Sequence, residues 1–119
     1  MSTIVEHFED VDADLRTVVA LHGTTWEIEY MCDDVRAAYS DADLDAAYRS
    51  LMANQASSDD FDQLIEFGEL EAQVYVFEEI LAFQFHTSRY ESLYVSYDRE
   101  EPFPFFDVVD VAAAALDTD

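Results

Sequence analysis

The sequence predicts an α+β domain: a five-stranded antiparallel sheet with helices on both faces, in the order α-β-β-α-β-β-β-α. Two strand-like runs precede residue 33, and three more lie between residues 70 and 100. Within each set the connections are too short for a crossover, so consecutive strands must run antiparallel. Helical periodicity fills the gap between the sets and both ends of the chain. The chain is 119 residues long and half apolar, enough for one core in one domain spanning residues 1–119.

The elements follow in order. Ser2 is placed to cap a short helix on which Ile4, Phe8 and Val11 share a face. "LRTVVALH" is β-branched and apolar and reads as a strand from Leu15 to His22, followed by a turn at Gly23 to Thr25. "WEIEYMC" alternates, with Trp26, Ile28, Tyr30 and Cys32 on one face and Glu27, Glu29 and Met31 on the other, which closes a hairpin. Asp33 or Asp34 opens a helical turn through Tyr39, and Ser40 caps a longer helix. That helix carries Leu44, Ala47, Tyr48, Leu51, Met52 and Gln55 as one stripe. "NQASSDDF" reads as a polar break. A second short helix, opened by Ser58 or Asp59, carries Phe61, Leu64 and Ile65 and ends at Gly68.

Three strands come next: "LEAQVYVFE", "ILAFQFHT" and "SLYVSYDRE". Tyr75, Phe77, Ala82 and Tyr94 sit on faces that a half-solvated sheet would make polar, so both sides of the sheet are expected to be covered. Pro104 suits the first position of a last helix, along which Phe105, Val109, Ala112 and Leu116 form a stripe. This element order resembles that of roadblock and profilin-like domains. The resemblance implies a dimerising scaffold, a regulator of GTPases or a small-ligand sensor. PAS-like and ferredoxin-like folds are the nearest rivals.

Charge is the strongest compositional signal. There are 28 Asp and Glu against five basic residues, all Arg, for a net charge of -23. The screening length is roughly 10 Å at about 0.1 M salt and about 3 Å at about 1 M, so molar salt removes most of the repulsion among surface carboxylates. The acids are spread from Glu6 to Asp119, and lysine is absent throughout. The composition resembles that of halophilic archaeal proteins. It implies a cytoplasmic protein bathed in diffuse cations from high salt. The single cysteine, Cys32, fits a reducing compartment. No run of apolar residues is long enough for a membrane span, and no secretory signal is visible.

Much chemistry is excluded by what is missing. The two glycines, Gly23 and Gly68, stand too far apart for any glycine-rich phosphate loop. Five scattered arginines cannot offset the acid, so direct nucleic-acid binding is not expected. Asp41, Asp43 and Asp45 alternate like calcium ligands. However, the glycine and the terminal glutamate of such a loop are replaced by Ala46 and Met52. His22 and Cys32 could approach across the first hairpin, but their spacing matches no zinc pattern. Glu27 and Glu29 read as a solvated strand face. No catalytic residue, cofactor or metal is expected.

The candidate residues are therefore those of an interface. "HTSRYES" gathers His86, Arg89 and Tyr90 in a chain poor in positive charge, as an interface anchor or an anion clamp would. Phe103, Phe105 and Phe106 cannot all face one way on a helix. They either plug the end of the sheet or meet a partner. The expected function is a non-enzymatic interaction or regulatory module, homodimeric through an edge strand or through the helix around Tyr48 and Met52. The alternatives are a small-molecule sensor with a sheet–helix pocket lined by Trp26, Tyr30 and Phe83, and an acidic decoy of a basic nucleic-acid-binding protein.

Overall fold

The computed structural model describes residues 3–22, 24–68, 70–88 and 91–116. The elements are α1 (Thr3–Glu9), β1 (Leu15–His22), β2 (Thr25–Met31), α2 (Asp33–Ala38), α3 (Asp41–Asp62), β3 (Ala72–Val76), β4 (Ile80–Ser88), β5 (Glu91–Asp98) and α4 (Phe105–Leu116). The five strands form one antiparallel sheet in the order β2-β1-β5-β4-β3. Its centre is β5, and its edges are β2 and β3.

Each face of the sheet carries its own core. On one face Val5 and Phe8 of α1 and Val108 and Ala112 of α4 pack on Val18, Phe83, Phe85, Val95 and Tyr97. On the other face Val35 of α2 and Leu44 and Tyr48 of α3 pack on Val19, Leu21 and Met31. Two-sided burial explains why the strands read as nearly continuous apolar runs rather than clean alternations.

The first hairpin departs from simple alternation. Val18 pairs with Tyr30 and Val19 with Ile28, so Glu29 is an extra residue on β2. Such a bulge shifts the side-chain phase by one. Tyr30 therefore joins the α1/α4 core, while Met31 joins Trp26 and Ile28 under α3. This corrects the single face expected for Trp26, Ile28 and Tyr30. It also divides the expected sensor pocket, because Trp26 lies on one side of the sheet and Tyr30 and Phe83 lie on the other. His22 and Cys32 fall at opposite ends of the hairpin, since His22 pairs with Thr25 while the Cys32 amide bonds to the Arg16 carbonyl. Among the described residues no group of three His, Cys, Asp or Glu side chains is placed to hold a metal.

Ser40 caps α3 as expected. Its Oγ accepts from the Asp43 amide, and the Asp43 carboxylate accepts from the Ser40 amide, both at 3.2 Å. Two helix-end donors are thereby satisfied reciprocally. Asp45 accepts from Arg49 Nε at 2.7 Å and from the Trp26 indole at 3.3 Å, which ties α3 to β2. The Arg49 hydrogen bond, then that of Trp26, holds the Asp45 carboxyl below its usual range. α3 then runs unbroken to Asp62, so the polar break expected at "NQASSDDF" is helical. Gly68 lies in the following loop with φ +109°, a conformation glycine adopts readily.

Beside the apolar core under α3, the same face of the sheet carries buried polar side chains. Thr17 and Ser96 share a 2.6 Å hydrogen bond. Gln84, fully buried, donates to Ser92 Oγ and to the Leu51 carbonyl of α3, and accepts from the Tyr75 hydroxyl. A buried amide is tolerable only when its partners are supplied. Here they also fix where α3 sits along the sheet.

On the opposite face the Tyr97 hydroxyl donates to the Phe8 carbonyl at 2.8 Å, joining β5 to α1. Burial raises the Tyr97 phenol above its ordinary value of 10.0, and burial pushes Tyr48 up to about 12. Below pH 10.0 both rings are neutral whether the chain is folded or not. Above that pH the unfolded chain ionises first, so stability falls as alkali is added. Two results are expected from thermal melts across this range. The wild-type midpoint declines above that pH. Tyr97→Phe loses about 1–2 kcal/mol at neutral pH with its hydrogen bond, but shows a shallower alkaline decline.

Candidate interaction surface

The two sheet edges differ in chemistry. β2 carries the exposed carboxylates Glu27 and Glu29 and is bent by its bulge, both of which discourage pairing with another strand. β3 has the sequence AQVYV, with no charge and no proline. It pairs with β4 along one side, and its other side lies at the sheet's edge. Unpaired backbone groups on a short, uncharged strand form a template for a further strand.

The apolar side chains beside β3 extend this surface. Val74, Val76 and Phe77 are exposed, Val76 by 60%. Phe61 near the end of α3, Ile65 and Phe67 of the following loop, and Phe105 and Phe106 of α4 meet Ala72 and Val74 around a groove of about 410 Å³. Phe67 is 98% exposed and Phe106 is 81% exposed. The loop is fixed to α3 by the Asp62 carboxylate, which accepts from the Leu70 amide at 2.9 Å. Contiguous exposed apolar residues on a chain of net charge -23 mark a surface for association.

The three phenylalanines differ in burial. Phe103 is half-buried, with its ring 6.0 Å from Phe83 and 5.7 Å from Tyr97, so it closes the end of the α1/α4 core. Phe105 stands 5.1 Å from Phe103 at the mouth of the groove, and Phe106 faces solvent. Tyr48 is 3% exposed and packs edge-on against Trp26 at 5.1 Å, and Met52 is half-buried in the same core. Both residues pack in the core between α3 and its own sheet. His86 lies half-buried on β4 opposite Ser92, while Arg89 and Tyr90 lie outside the described residues. Sequence reading alone does not mark Phe61, Ile65, Phe67, Val74, Val76 or Phe77 as interface residues. For Phe67, Val74, Val76 and Phe77 the signal is present in "EFGELEAQVYVF", where a loop aromatic precedes an uncharged strand.

Among the described residues no helix is long and apolar enough to cross a membrane. No curated protein matches the sequence. Solved structures do resemble the fold. The structure titled "MglB with tetrameric arrangement" has 14% identity and a TM-score of 0.63, over 96% of this chain and 79% of that one. A Roadblock/LC7 domain from Streptomyces avermitilis has 14% identity and a TM-score of 0.63, over 94% of this chain and 87% of that one. The gliding protein MglB from Thermus thermophilus has 15% identity and a TM-score of 0.59, over 96% of this chain and 80% of that one. At these identities the likeness establishes a roadblock/LC7-like fold, as the order of elements implied. The chain itself belongs to the family described as domain of unknown function DUF7522, whose model matches residues 2–117.

Proposed function

We propose that this chain is a non-enzymatic interaction and regulatory module that works as a homodimer, joined edge to edge along β3, in the cytoplasm of a salt-accumulating halophilic archaeon. The observation that carries the reading is the contrast between its two edges. β2 is charged and bulged, while β3 is uncharged and flanked by exposed Val74, Val76, Phe77 and Phe106. Two antiparallel β3 strands would extend the sheet across both copies and cover the apolar groove beside Phe105. The fold likeness supports self-association, since one neighbour is described as having a tetrameric arrangement.

High salt belongs to the same reading. Two bodies of charge -23 repel at long range in dilute buffer. Molar salt screens that repulsion. Association should therefore tighten as KCl rises. Sedimentation equilibrium in molar KCl is expected to give twice the chain mass of 13.6 kDa. A single species at the chain mass across all protein concentrations would remove the homodimer.

A further inference from the structure

A second cavity lies on the opposite face of the sheet from the Phe105 groove. It occupies about 440 Å³ between α2, the start of α3 and the ends of β1, β4 and β5. We infer that it binds an organic cation, an alkylated ammonium group carrying an apolar body, held between the rings of Tyr39, Phe77 and Tyr94 and the carboxylates of Asp43, Glu78 and Glu79.

The wall chemistry carries the inference. Aromatic faces attract a cation through the ring quadrupole, most strongly when the cation is poorly hydrated. Tyr48 lies behind Tyr94, with ring centroids 6.3 Å apart, and so stiffens the inner wall. Tyr39 and Phe77 line the cavity and are exposed to solvent. Burial, then the charge on Tyr39, raises the Tyr94 phenol above its ordinary value of 10.0, so this ring is neutral at physiological pH.

Charge selects the sign of the guest. Arg16 is the one basic residue among the described lining residues, and its guanidinium donates to Asp98 at 2.7 Å. The Arg16 Nε is buried, and an anion in the cavity would face the carboxylates of Asp43, Glu78 and Glu79. A cation meets those carboxylates directly. The volume exceeds the needs of a bare ammonium head and leaves apolar wall at Val35 and Leu44 for a substituent. A small hydrated metal ion fits poorly, because aromatic rings replace the oxygen ligands it needs.

Choline in molar KCl is a suitable probe, read by the ring resonances of Tyr39 and Tyr94 in NMR spectra. Saturable shifts are expected, with the uncharged tert-butyl analogue of choline binding about tenfold more weakly. Tyr39→Leu and the pair Glu78→Gln and Glu79→Gln should each weaken choline by about fivefold or more, and these exposed positions leave the fold intact by circular dichroism. Shifts no larger than those from added KCl would overturn the proposal. So would equal binding of the uncharged analogue, or variants that bind choline as the wild type does. Sedimentation of the same samples reports the β3 dimer separately, so either reading can fail alone.

Discussion

Moved from molar KCl into a buffer of low ionic strength, the protein is expected to lose its tertiary structure or to melt at least about 10 °C lower, equivalent to about 2 kcal/mol for a chain of this size. The comparison of lengths explains why. At about 0.01 M salt the screening length is roughly 30 Å. The molecule measures 41 × 32 × 31 Å, so at that length nearly every carboxylate repels nearly every other. At about 1 M the length falls to about 3 Å, and only immediate neighbours interact. Internal compensation is slight. Arg16, Arg49 and Arg99 pair with Asp98, Asp45 and Glu101, and exposed pairs of this kind contribute about 0–1 kcal/mol each. Circular dichroism melts over a KCl series measure the effect. A midpoint that does not move would mean the acid is not an adaptation to salt, and the reading of an acidic decoy for a basic protein would replace it.

Replacing Val74 and Val76 together by Glu is expected to abolish the dimer while leaving the monomer folded. Both side chains are exposed on the edge strand, so their change removes little from the core. In an antiparallel pairing whose two-fold axis passes through Tyr75, the new carboxylate at position 74 of each copy faces the one at position 76 of the other. Like charges facing each other across a strand pair destabilise it, and the apolar contact is lost as well. Together these should weaken association by more than about a hundredfold, equivalent to about 2.7 kcal/mol. Sedimentation in molar KCl reads the loss, and unchanged circular dichroism shows that folding survived. The control is the other edge: Glu27→Gln on β2 should leave the dimer constant as it is. A double variant that dimerises like the wild type would place the interface elsewhere.

The sheet was legible because strands are written in local pattern. β1 is found at Leu15–His22, as its β-branched run indicates. The helix cap at Ser40 was equally clear, since a hydroxyl three residues before Asp43 is a short-range signal. The bulge at Glu29 was not legible. Nothing in "WEIEYM" marks it, and it becomes defined only when β1 supplies the partner register. α3 also runs further than its pattern implies. Its later half has a polar composition that reads as a break, yet the helix continues through it to Asp62. The surface beside β3 was hidden for a related reason. Phe61 and Ile65 look like one stripe of a short helix, yet α3 ends at Asp62 and leaves Ile65 in the loop beside the edge. The burial of Tyr48 was equally hidden, because its stripe position does not say how closely Trp26 and Tyr94 pack around it.

Amide hydrogen exchange along β3 tests the account most directly. In molar KCl, the amides of residues 72–76 that point away from β4 should be exchange-protected at high protein concentration and lose protection on dilution, in step with the fall in sedimentation mass. Protection on β2 should not follow concentration. If the β3 amides exchange freely while the protein sediments at twice its chain mass, the edge is not where the copies meet and the account is contradicted.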